Sequence, residues 1–184
     1  MQNSQRSTRY RTVCVLLIGH SYIRRLQEFM SSSPQLLNFG LSGVQVRCIG
    51  VGGATLGQRR CIRRHLRAVS VYHPDIIFVH IGENDLGRMS NSNIVHHLLH
   101  FVSDLSRLCS SNIVIVGQLI FFPRTIYEYS VNCINEQLSF EIQEPYIFWR
   151  HRRGFSRSAT DVFLSDRVHL NNIGMLRYFR SIRQ

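Results

Sequence analysis

Ser21, Asp166 and His169 have the side-chain types that acyl chemistry needs: a hydroxyl nucleophile, a carboxylate to orient a base, and an imidazole to take the serine proton. Asp166 precedes His169 by three residues, so its carboxylate can reach one imidazole nitrogen within a single turn and fix the tautomer. Such a reaction also needs donors aimed at the oxygen that becomes negative. The Ser21 N–H, the Gly53 N–H and the Asn84 side-chain amide are the candidates, and glycine at 53 avoids a Cβ that would crowd a substrate. Each residue also has an ordinary structural role. A serine at a strand-to-helix junction commonly caps the helix, and Asn-Asp after a strand is common turn chemistry.

Distant parts of the chain must bring these residues together. Residues 13–18 are a short apolar run, which reads as a strand buried on both faces and stopped by Gly19. Residues 22–30 place Ile23, Leu26 and Met30 at helical spacing. Residues 44–49 read as a second strand running into the glycine-rich turn 50–55. A helix is expected over 56–71, with Ile62, Leu66 and Val69 inward and Arg59, Arg60, Arg63, Arg64 and Arg67 opposite. Residues 75–81 are the clearest strand, ending in Gly82-Glu83-Asn84-Asp85. Helices over 92–108, 126–142 and 172–182 and strands over 113–116 and 146–149 complete the alternation. The alternation predicts a three-layer α/β/α sandwich with a parallel sheet of about five strands in flavodoxin-like order. Ligand sites in such sheets lie beyond the carboxyl ends of the strands, where every cluster above falls. Residues 1–11 read as a flexible basic lead-in and 12–184 as one domain.

The four clusters in order resemble the SGNH hydrolases, the GDSL esterase/lipase superfamily, over nearly the whole chain. Gly19-His20-Ser21 matches the block that carries the nucleophile, and Gly50-Val51-Gly52-Gly53-Ala54-Thr55 matches the block whose glycine, here Gly53, serves the oxyanion. Gly82-Glu83-Asn84-Asp85 matches the block with the oxyanion asparagine, and Asp166-Arg167-Val168-His169 the block with the orienting aspartate and the base. The resemblance implies an ester-hydrolysing serine enzyme working through an acyl-enzyme, with no metal or organic cofactor. One position departs from the family: His20 stands where it usually carries an aspartate that supports local structure. Gly-His-Ser followed by aromatic, aliphatic and basic residues is also similar to SGNH domains associated with animal retroelements. The nucleophile elbow of α/β-hydrolases, G-x-S-x-G, does not fit, because position 23 is isoleucine.

Charge opens a second reading. All 22 basic residues are arginine and the net charge is +11, which suits phosphate, carboxylate or aromatic partners. The competing class is therefore a catalytically weak or inactive module of the same fold that binds nucleic acid or another anionic partner. The ester substrate itself would be a small molecule, a lipid or a glycan. Five widely spaced cysteines form no CxxC pair, and no signal peptide or membrane span is visible. The expected setting is intracellular, cytoplasmic or nuclear. His96, His97 and His100 fall on a helix without the glutamate of an HExxH zinc site, so no metal ligands are assigned there.

Overall fold

The computed structural model describes residues 11–57, 60–111, 113–120, 126–151, 155 and 159–184. Five parallel strands, β1 (Val13–Gly19), β2 (Val44–Gly50), β3 (Ile76–His80), β4 (Ile113–Gly117) and β5 (Tyr146–Trp149), form one sheet in the order β2-β1-β3-β4-β5. That is the expected flavodoxin-like order. The helices are α1 (Ser21–Ser31), α2 (Leu66–Ser70), α3 (Asn91–Cys109), α4 (Glu128–Glu141) and α5 (Asn172–Arg183). α1 packs against α5, while α3 packs against α2 and α4, giving a group of helices for each face of the sheet.

The central strands are apolar because both faces are covered. Leu16, Leu17 and Ile18 on β1 and Ile77 and Val79 on β3 are fully buried. α1 buries Ile23, Leu26 and Met30 and exposes Arg24 and Glu28, as its spacing requires. Each fully buried aliphatic side chain contributes roughly 1.5–3 kcal/mol. All the buried apolar residues form one connected cluster.

The segment 56–71 departs from expectation. Its helical part is short: a 3₁₀ turn at Ile62–His65 leads into α2, while Thr55 and Cys61 form an isolated bridge. The Thr55 N–H donates to the Arg60 carbonyl and the Ile62 N–H to the Thr55 carbonyl, so these backbone groups serve the bridge and not helical bonds. Asp85 anchors the start of the segment by accepting the N–H groups of Leu56 and Gly57. The lead-in 1–10 and most of the arginine-rich loop at 152–154 and 156–158 lie outside the described residues. Among the described residues no helix is long and apolar enough to cross a membrane.

Candidate active site

β1, β2 and β3 end level with one another, since Gly19 pairs opposite Gly50 on one side and His80 on the other. The segments that leave them therefore start side by side: His20-Ser21, Val51-Gly52-Gly53 and Ile81 to Asn84. A Cβ on Gly19 would lie 1.9 Å from the His80 carbonyl oxygen. Only glycine lets β1 and β3 approach so closely there.

Ser21 is the first residue of α1 and not its cap. His20 occupies the cap position, and its Nδ1 accepts the Tyr22 N–H at 3.4 Å. The Ser21 N–H thus lies in the first turn, where no intrahelical acceptor exists and the helix dipole is positive. Gly53 has φ of 69°, a left-handed conformation that glycine adopts without strain. The Asn84 amide donates to the Ala54 carbonyl at 2.9 Å, tying the loop after β3 to the one after β2 and leaving its second hydrogen free of that bond. Asp85 shapes this corner. Its buried carboxylate accepts the N–H groups of Leu56 at 2.9 Å and Gly57 at 3.3 Å, and burial pushes its pKa up.

The imidazole arrives from the far end of the chain. Phe163 and Leu170 form a bridge, and the Leu164 N–H donates to the His169 carbonyl at 2.7 Å, closing the loop between them. Asp166 Oδ1 accepts the N–H groups of Val168 and His169, each at 2.9 Å, and Oδ2 lies 2.7 Å from His169 Nδ1. These bonds, led by the His169 N–H, hold the Asp166 carboxyl down at about 2. With a proton on Nδ1 facing the carboxylate, Nε2 carries the lone pair. Asp161, a second carboxylate near His169 in sequence, is engaged by Arg177 at 3.1 Å. The Tyr22 hydroxyl donates to the Val168 carbonyl at 2.6 Å, so the residue after Ser21 is bonded to the residue before His169.

Under Ser21 lies a polar cluster that sequence reasoning missed. Glu83 is fully buried and accepts from His20 Nε2 at 2.8 Å, His80 Nε2 at 2.7 Å and the Ile120 N–H at 3.1 Å. Burial alone would raise its pKa, but the two imidazoles hold it well below the usual carboxylate range. His80 Nδ1 meets the Tyr178 hydroxyl at 2.6 Å, and burial keeps that phenol protonated, so it donates. His151 stacks on His80 with ring centroids 5.6 Å apart and bonds Ser181 Oγ at 2.9 Å through Nδ1. Burial drives the His151 pKa down to about 3. A histidine inside the apolar run 75–81, followed three residues later by a glutamate, was the available signal: such groups are buried only when paired.

His20, His80 and Glu83 have donor atoms within 4.8 Å of one another, a spacing that a divalent metal could span. As hydrogen-bonding groups they are already matched, since two imidazole N–H groups and one backbone N–H point at a single carboxylate. Among the described residues, the Ser21 hydroxyl has one hydrogen-bond partner, His20 Nδ1 at 3.3 Å. Of the aromatic residues that could line a pocket, Phe155 packs on His151 and Tyr178, and Trp149 lines an apolar cavity with Val13, Val15 and Phe39. Phe121 and Phe122 lie outside the described residues.

No protein-family model and no curated protein sequence matches the chain. Solved structures do. A member of the lipolytic protein G-D-S-L family from Veillonella parvula superposes with a TM-score of 0.72 at 15% identity, covering 92% of this chain and 95% of its own. A carbohydrate esterase of family 3 from Talaromyces cellulolyticus gives 0.64 at 18% identity, covering 93% and 94%. An acetyl esterase variant with acetate ion gives 0.65 at 18% identity, over the same shares of the two chains. The five-stranded parallel sheet, its strand order and these superpositions agree: the chain has the SGNH hydrolase fold.

Proposed function

We propose that the protein is a serine esterase of the SGNH type. Ser21 is the nucleophile, His169 the base, Asp166 the residue that orients it, and the Ser21 N–H, Gly53 N–H and Asn84 amide form the oxyanion hole. The observation that carries this reading is the Asp166–His169 pair at 2.7 Å, in a loop bonded to α1 one residue from Ser21. Asp166 is held anionic, and its bond to His169 Nδ1 leaves Nε2 as the atom that would accept a proton from a hydroxyl. Ser21 Oγ would attack the ester carbonyl while His169 takes its proton. Collapse of the tetrahedral intermediate would release the alcohol, carrying that proton, and leave an acyl-serine. Water activated by His169 would then free the acid.

The named solved structures include esterases, one with acetate, so short acyl groups are the first substrates to try. The anion-binding alternative has less behind it. Arg11, Arg24, Arg63, Arg107 and Arg177 are each engaged by an acidic side chain of the chain itself. The test is hydrolysis of a p-nitrophenyl acetate by the wild type and Ser21→Ala. Hydrolysis lost in the variant supports the reading, and equal rates refute it.

A further inference from the structure

We infer that His20, oriented by Glu83, is a second general base for Ser21, so that the nucleophile is flanked by two imidazoles. This rests on the reading of Ser21 as nucleophile. Ser21 Oγ lies 3.3 Å from His20 Nδ1, and His20 Nε2 lies 2.8 Å from Glu83 Oε2. Serine, histidine and carboxylate thus stand in line, with the imidazole only 3% exposed and Glu83 wholly enclosed.

The tautomer follows from the donors around the ring. The Tyr22 backbone N–H can only donate, and it points at Nδ1, so Nδ1 carries a lone pair. Nε2 faces a carboxylate that also accepts from His80 Nε2 and the Ile120 N–H, so Nε2 carries the proton. The Ser21 hydroxyl, whose hydrogen can rotate, therefore donates to His20 Nδ1. Glu83 acts as the positioning residue: it fixes the ring orientation, and its negative charge stabilises the imidazolium that proton uptake would create. His80 completes the support, held in turn by the Tyr178 hydroxyl at 2.6 Å.

The step balances. As Ser21 Oγ forms its bond to the carbonyl carbon, the hydroxyl proton passes to His20 Nδ1 and the carbonyl π pair moves to oxygen. When the intermediate collapses, the carbon–alkoxy bond breaks and the proton on Nδ1 leaves with the alcohol, restoring the neutral ring. The departure of His20 from the family aspartate then has a chemical meaning: it replaces a carboxylate beside the nucleophile with a base whose own carboxylate is supplied by Glu83.

The test compares the rate at which a fluorophosphonate labels Ser21 in the wild type, His169→Ala, His20→Gln and the double variant, with Ser21→Ala as the blank. Glutamine at position 20 can keep a donor toward Glu83 while removing the Nδ1 acceptor. His169→Ala is expected to retain labelling at least tenfold above the blank, His20→Gln to label about tenfold more slowly than the wild type, and the double variant to fall to the blank. If His20→Gln labels at the wild-type rate or faster in both backgrounds, the inference is overturned and the esterase reading stands. A wild type that does not label overturns both. Thermal melting of each variant separates a structural role, which would shift the melting temperature and leave the labelling rate unchanged. Should His20→Gln not fold, Glu83→Gln takes its place: it removes the anion behind the ring, and unchanged labelling overturns the inference equally.

Discussion

The Tyr22 hydroxyl and the Val168 carbonyl meet at 2.6 Å, joining the first turn of α1 to the loop that carries His169. The two residues are 146 apart in sequence, and each is the immediate neighbour of a proposed catalytic residue. Burial pushes the Tyr22 phenol well above its ordinary pKa, so it remains a donor throughout the working pH range.

Removing that bond gives a direct test of how the imidazole is positioned. Tyr22→Phe leaves the Val168 carbonyl without its partner and should cost about 1–2 kcal/mol of stability. Ester hydrolysis should fall about tenfold through kcat, because a base displaced by a fraction of an ångström loses its geometry. Urea unfolding and steady-state kinetics on one preparation measure both effects.

His169→Ala should lower kcat by about 10²–10⁴-fold, the range for a positioned general base. Asp166→Asn should lower it as well, since an amide at that position cannot stabilise the imidazolium. Kinetics with p-nitrophenyl acetate, with Ser21→Ala as background, check the order.

Asp166 also predicts an acid limb. Its pKa is about 2 in the folded chain against an ordinary 3.8, so the folded state holds the carboxylate more tightly deprotonated than the unfolded state does. The stability this contributes is complete above about pH 4 and disappears as pH falls toward 2. Asp166→Asn should flatten that part of a plot of urea midpoint against pH. Because the carboxylate is largely exposed, the effect should shrink in high salt.

His151 acts in a different window. Its folded pKa of about 3 lies below the ordinary 6.5, so the unfolded chain takes up a proton first as pH falls. Its neutral form favours folding fully above about pH 6.5, and that advantage erodes between there and pH 3. His151→Phe keeps a ring against His80, Phe155 and Tyr178, and should lose less stability than the wild type between pH 7.5 and pH 5. Denaturant midpoints at those two values decide it.

Gly19→Ala should destabilise the chain by about 3 kcal/mol, because its Cβ would fall 1.9 Å from a backbone oxygen that cannot rotate away. A lower melting temperature with activity lost in parallel is the expected result.

The sequence by itself determined the alternation of elements and the flavodoxin-like sheet, because apolar runs of strand length and amphipathic helical spacing are local properties. It also supplied Ser21, Gly53, Asn84, Asp166 and His169 as the proposed site, since each stands in a short motif beside the end of an element. Tertiary structure decided three further things. The bridge between Thr55 and Cys61 took backbone groups that the expected helix over 56–71 would have used, a pairing that helical spacing does not record. His20, and not Ser21, capped α1, because the cap depends on which side chain points back at the Tyr22 N–H. Above all, His20, His80 and Glu83 come from two segments that neighbour each other only because Gly19 and His80 stand in register. In sequence these three are a motif departure, a strand residue and a variable position; in the folded chain their side chains share one carboxylate beneath the proposed nucleophile.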